Sequence, residues 1–203
     1  MLHTHAKIGP LDAGRRMSLD EFDPCETESG HQFELEGGIV IVTEVPLPSH
    51  FLRVDAIRDQ LTLYKLTHRG IIRAIGSGGE CKLLISECES ERHPDLAVYK
   101  TDPPQQDRGV WRIWIPEIVV EVVSRGSEHR DYVIKREEYL TFGVSEYWTV
   151  DPIKQEFLVL RRLGDRWDEQ ILVPSQRYTT NLLPGFELEL LPIFFQETLG
   201  ERG

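Results

Sequence analysis

The stretch Ile118-Val119-Val120-Glu121-Val122-Val123 constrains the fold of this chain more than any other segment. Its nearly continuous β-branched residues suit a central strand covered on both faces. Glu121 is the exception. A carboxylate buried in such a strand is costly unless a cation or hydrogen-bond donors compensate it, so the fold must deliver a partner to this position. An ion pair with Arg112 or Arg125 is one solution, and a bound metal ion is another.

The flanking sequence predicts the layers around that strand. Ser18-Leu19-Asp20-Glu21 fits a capping box that opens a short helix. His31 to Leu35 and Ile39 to Val42, separated by Gly37-Gly38, read as a hairpin. Pro46 and Pro48 end its second strand, Ser49 is a candidate cap, and apolar residues at helical spacing from Phe51 to Leu66 predict a long helix that stops at Gly70. Short β-type runs follow at Ile71 to Ile75, Lys82 to Ser86 and Leu96 to Tyr99. After the Glu117 to Ser124 run come a helix over Ser127 to Phe142 and a strand at Glu146 to Val150. Glu156 to Arg161 and Trp167 to Val173 form an antiparallel pair, Glu187 to Leu191 adds an edge strand, and Ile193 to Leu199 closes the chain. This order predicts an α/β (α+β) fold, a mixed sheet flanked by helices with additional antiparallel strands.

The 203 residues suit one domain, expected over 18–199 with a flexible tail at 1–17. No apolar run approaches the ~20 residues that span a bilayer, and the N-terminus lacks the pattern of a secretory signal, so no membrane contact and a cytoplasmic location are expected. Cys25, Cys81 and Cys88 match no paired zinc spacing and read as reduced thiols. The net charge of −11 argues against strong nucleic-acid binding unless basic residues gather on one face.

Glu121 has a candidate companion in Asp95, at the mouth of another apolar strand in Arg92-His93-Pro94-Asp95-Leu96. Two carboxylates on adjacent strands offer the hard oxygen donors that Mg²⁺ prefers, with a backbone carbonyl beside Glu121 and waters completing the shell. Taken alone, Pro94-Asp95 is equally a common turn dipeptide. Asp131 and Lys135 stand on one helical face, either as a surface ion pair or as the source of a cation beside a developing phosphate charge. Trp111, Trp114, Tyr147 and Trp148 read first as core aromatics and second as surfaces for stacking bases.

Together, Pro94-Asp95-Leu96, Pro116 to Ser124, Asp131-x-x-x-Lys135-x-x-x-Tyr139 and Gly143-Val144-x-Glu146-Tyr147-Trp148-x-Val150-Asp151-Pro152 resemble the Uma-type restriction endonuclease family of the PD-(D/E)XK nuclease superfamily. The likeness runs from about Ser18 to Leu199, and Glu146 to Pro152 is its most specific part. It implies a restriction endonuclease-like fold in which Asp95 and Glu121 bind Mg²⁺, or Mn²⁺ in its place. Val123 stands where the superfamily has its lysine, and the motif match gives that catalytic role to Lys135. Glu34 and His50 are implied as supporting residues, with Asp131 positioning Lys135. Ser124-Arg125-Gly126-Ser127 departs from the family's Ser-Pro-Ser/Thr at this place. The implied function is metal-dependent hydrolysis of DNA phosphodiester bonds by a homodimer, since a two-fold pair suits the cutting of both strands. The acidic charge speaks for an alternative, a catalytically inactive dimeric binding or regulatory module of the same fold. A hydrolase for a small phosphorylated substrate is a third reading.

Overall fold

The structure, a computed structural model, describes residues 7–195. In chain order its elements are β1 Lys7–Ile8, α1 Leu19–Phe22, β2 Glu26–Thr27, β3 His31–Glu36, β4 Ile39–Glu44 and α2 Pro48–Thr67. Next come β5 Ala74–Gly76, β6 Leu83–Ile85, β7 Ser90–Arg92, β8 Leu96–Tyr99, β9 Ile118–Val122 and α3 Lys135–Phe142. β10 Glu146–Asp151, β11 Glu156–Leu163, β12 Arg166–Leu172, β13 Arg177–Thr179, β14 Glu187–Glu189 and α4 Leu191–Phe194 complete the described chain.

The main sheet has six strands in the order β12-β11-β10-β9-β8-β5. Only β9 and β10 are parallel, because α3 intervenes and carries the chain back across the sheet. The other pairings are antiparallel, so the expected mixed sheet is present. A second sheet, β4-β3-β7-β6, packs beside it, and β13 pairs with β14.

Strand alternation assigns the two faces of the main sheet. Ile118, Val120 and Val122 turn toward α2, where they pack with Val54, Ile57, Leu61 and Trp148. Val119 turns the other way, into a cluster with Tyr139, Phe142, Tyr147 and Leu160 on the α3 side. Glu121 shares the α3 side with Val119. A third cluster joins Ile8, Met17, Leu19 and Phe22 to Phe33, Leu35 and Val40 of the second sheet.

Several expectations need correction. The flexible tail is not loose over residues 7–17, since β1 pairs with β2 and Ile8 and Met17 are buried in the core; residues 1–6 lie outside the described part. Ser49 does not cap α2. Pro48 takes the first helical position, where its fixed φ and missing N–H are harmless, and Leu47 stands at the N-cap. The strand expected at Ile71 begins later, at Ala74. β7 and β13 escaped the sequence, because Ser-Glu-Arg and Arg-Tyr-Thr are short and carry little apolar alternation. The closing segment is helical over Leu191–Phe194, and its expected continuation through residues 196–199 lies outside the described residues. The capping box at Ser18 and Glu21 and the hairpin of β3 and β4 form as anticipated. Among the described residues no helix is long and apolar enough to cross a membrane.

Glu146 shows how the fold handles a buried charge with hydrogen bonds alone. Its carboxylate accepts from Trp148 Nε1 at 2.8 Å, the Tyr178 hydroxyl at 2.9 Å and the Thr180 hydroxyl at 2.6 Å. Truncating it leaves three buried donors without an acceptor. Glu146→Ala is therefore expected to cost about 3 kcal/mol or more, read as a lower urea midpoint; an unchanged midpoint would show that water replaces the carboxylate without loss.

Candidate active site

The site is assembled at the carboxyl ends of β9 and β10. Glu121 projects from β9 toward the start of α3 and meets Lys135, whose Nζ lies 2.9 Å from Glu121 Oε1. The Tyr139 hydroxyl, one turn further along α3, donates to the same oxygen at 2.5 Å. Lys135 also approaches Asp131 Oδ1 at 3.4 Å. Asp131, Glu121 and Lys135 are only 3%, 4% and 5% exposed, so Asp131 and Lys135 form no surface ion pair. Neither sequence-level arginine partner serves Glu121, since Arg112 pairs with Asp20 at 2.6 Å and Arg125 is exposed.

The start of α3 is shaped for this contact. Arg130–Ile134 form a π-helical turn, and the Lys135 N–H donates to the Arg130 carbonyl. Such a turn inserts a residue locally and recurs at functional sites. Here it precedes Lys135 directly. Asp131 is held by the Ser127 hydroxyl, which donates to its Oδ2 at 2.5 Å, and its carbonyl accepts from the Tyr147 hydroxyl at 2.9 Å.

Asp95 reaches the same place from the residue immediately before β8. Leu96 stands opposite Val120 in the antiparallel ladder, which brings Asp95 alongside Glu121. The Val122 N–H donates to Asp95 Oδ2 at 2.7 Å, and His50 Nε2 lies 2.9 Å from Oδ1. His50 sits in the first turn of α2, and its Nδ1 is buried with no partner among the described residues. Glu34, on β3, accepts from the His93 N–H at 3.0 Å and from Arg92 at 3.1 Å. The structure thus gathers Asp95, Glu121, Lys135, Asp131, Glu34 and His50 around one strand mouth.

Sequence reasoning missed two members of this neighbourhood. Arg92 is fully buried and bonds Glu138 at 2.6 Å, Glu36 at 2.9 Å and Glu34; Ser90 completes the Glu138 carboxylate at 2.7 Å. A charged residue three positions before Asp95 gave no pattern to read. Tyr139 lay in the Lys-x-x-x-Tyr motif, and its helical spacing from Lys135 was the signal for a shared face.

A family model described as "Uma2: Putative restriction endonuclease" matches residues 19–191. The chain belongs to the Uma2 family. The fold of this Uma2 chain is also that of the crystal structure of a "putative nuclease belonging to DUF820" from Anabaena variabilis, with a TM-score of 0.69 and 17% identity over 88% of this chain and 97% of that one. No curated protein matches.

Charge is unevenly distributed within this Uma2 site. Burial, opposed by Lys135, pushes the Glu121 carboxyl up to about 7, and the nearby Asp95, Asp131 and Glu34 add to the rise. Burial works against ionised Glu34 too, but Lys135, Arg92 and the His93 N–H hold it down at about 2. His50 is pulled the opposite way from its burial, which disfavours the cation, because the bond to Asp95 and the charges of Asp95, Glu121 and Asp131 favour it. Lys135 stays protonated well above its ordinary value, burial being outweighed by Glu121, Glu34 and Asp131.

The donor set fits a hard divalent cation. Among the described residues no cluster of three or more His, Cys, Asp or Glu side chains is gathered to hold a metal, yet Mg²⁺ commonly takes one or two carboxylates and keeps several waters. Asp95 and Glu121 are such a pair, and both contacts to Glu121 fall on Oε1. Burial is the main cause of the raised Glu121, and the neighbouring Asp95, Asp131 and Glu34 add negative charge that a cation would neutralise.

The two glutamates move stability in opposite senses with pH. Glu34, lowered, stabilises the fold above its ordinary value of 4.5, and this is lost as pH falls toward about 2. Glu121, raised, opposes folding once ionised, a penalty absent below its ordinary 4.5 and complete above about 7. In metal-free urea denaturation, Glu121→Gln should therefore gain stability relative to wild type on going from about pH 5 to about pH 8. A difference that does not vary with pH would contradict the raised Glu121.

Proposed function

We propose that the protein is a metal-dependent endonuclease of the PD-(D/E)XK type that hydrolyses DNA phosphodiester bonds, with Asp95 and Glu121 holding Mg²⁺ or Mn²⁺. The observation that carries this reading is the meeting of Asp95, Glu121 and Lys135 at one strand mouth in a chain of the Uma2 family. A divalent cation held there supplies polarisation of the scissile phosphate and a lowered pKa for the attacking water.

The chain's own residues do the rest. Asp95 is fixed from two sides, by the Val122 N–H and by His50. Lys135 brings a permanent cation to the strand mouth, where it stabilises charge that develops on the phosphate as the water oxygen bonds to phosphorus and an ester P–O bond breaks. Asp131 is a second carboxylate contact to that ammonium, and Tyr139 orients Glu121. Glu34 and His50 act through their neighbours, Glu34 by its charge on Lys135 and His50 by its contact with Asp95. A homodimer with two such sites would cut both strands of a duplex. Three free cysteines accord with work in the reducing cytoplasm.

The net charge of −11 favours a second reading, a non-catalytic dimeric binding or regulatory module. Calorimetric titration of Mg²⁺ and Mn²⁺, with DNA cleavage assayed on the same samples, separates the two. Binding and cleavage are expected in wild type and should vanish in Asp95→Ala and Glu121→Gln. Metal binding without cleavage of any DNA supports the module, and no binding at all removes the proposed site. Lys135→Met should lower any cleavage rate at least ~100-fold. The same change leaves Glu121 buried without its cation and should cost ~3 to 5 kcal/mol of stability; full activity would remove Lys135 from the mechanism.

A further inference from the structure

Among the described residues, two arginines on the elements around the acidic cluster have neither a carboxylate partner nor a hydrogen bond from a buried Nε. Lys135 is committed to Glu121 and Asp131, Arg92 to three glutamates, and Arg136 to Glu169 at 2.9 Å. Arg53 and Arg130 differ. Neither forms an ion pair among the described residues, and the guanidinium Nε of each is buried without a hydrogen-bond partner. A buried donor left unmade is costly, and arginine's planar fork matches the paired oxygens of a phosphate.

Both stand on elements that contribute a side chain to the strand mouth, Arg53 on α2 and Arg130 in the turn before α3. Arg53 lies three residues beyond His50 on α2, hence on a shared helix face, and its Nη1 donates to the Ser49 carbonyl at 2.7 Å. That contact turns the guanidinium back toward the start of the helix, where His50 meets Asp95. Arg130 opens the π-helical turn beside Asp131, and its charge helps to hold the Glu34 carboxyl down. One arginine thus comes from the α2 layer and the other from the α3 layer.

We infer that Arg53 and Arg130 form a clamp for the phosphate groups of a nucleic-acid backbone, whose oxygens pair with the guanidinium edges that no carboxylate occupies. The inference rests on the nuclease reading and deepens it, since a chain with a net charge of −11 needs local cations to hold a polyanion beside four carboxylates.

The test is a salt titration of binding to a short DNA duplex, measured with Mg²⁺ in the Glu121→Gln background so that the duplex stays intact. Each phosphate contact contributes roughly one to the slope of log K against log salt. Arg53→Gln and Arg130→Gln should each flatten that slope by about one, the double change by about two, and the lysine replacements should restore most of it. Arg69→Gln, the same charge change beyond the far end of α2, should leave the slope unaltered. Unaltered slopes in the Arg53 and Arg130 variants, in a protein whose wild type cleaves DNA, would overturn the clamp and leave the nuclease reading standing. Absence of both duplex binding and wild-type cleavage would overturn both. Loss of affinity with an unchanged slope, or a loss that lysine does not restore, assigns the arginines to structure and also overturns the clamp.

Discussion

The buried contact between Glu121 and Lys135 is the interaction on which the site depends. Removing two opposite charges from water costs more than their attraction returns unless further hydrogen bonds complete the arrangement. The structure supplies them: Tyr139 shares the Glu121 oxygen, Asp131 also approaches Lys135, and Ser127 fixes Asp131. Because β9 carries Glu121 while α3 carries Lys135 and Tyr139, satisfying this group also sets how α3 lies across the sheet. Structure and site are one constraint here, and the aromatic contact of Tyr139 with Tyr147 packs directly against it.

Arg92 plays a similar part for the second sheet. Fully buried among Glu34, Glu36 and Glu138, it ties β3 and β7 to α3. Glu34 belongs to both groups, bonded to Arg92 and acting on Lys135 by its charge. The His93 backbone that anchors Glu34 lies two residues before Asp95. Displacement of the second sheet would therefore be felt at the strand mouth through a short series of charge-assisted bonds. Glu146 offers the contrast: its carboxylate is satisfied by three neutral donors, and Arg161 reaches it only through the Tyr178 hydroxyl.

Much of this was legible in the sequence because the signals were local. The capping box at Ser18, the hairpin about Gly37-Gly38, the apolar run of β9 and the glycine ending α3 each declare themselves within a few residues. The strand β7 and the packed segment 7–17 were not legible. Their order comes from partners distant in the chain: β7 is held between β3 and β6, and Ile8 and Met17 are buried against residues of α1 and the second sheet.

The sequence alone determined that Glu121 must have a compensating partner, since a carboxylate in a β-branched run cannot stay uncompensated, and the motifs pointed to Asp95 and Lys135. Which cation answers it was a tertiary decision. Arg112 and Arg125 were as plausible by spacing, and only the crossing of α3 over β9 brings Lys135 to 2.9 Å. The same holds for Arg92, Tyr139 and the unpartnered arginines. Their roles follow from burial and from neighbours dozens of residues away, and long-range packing rather than local pattern sets both.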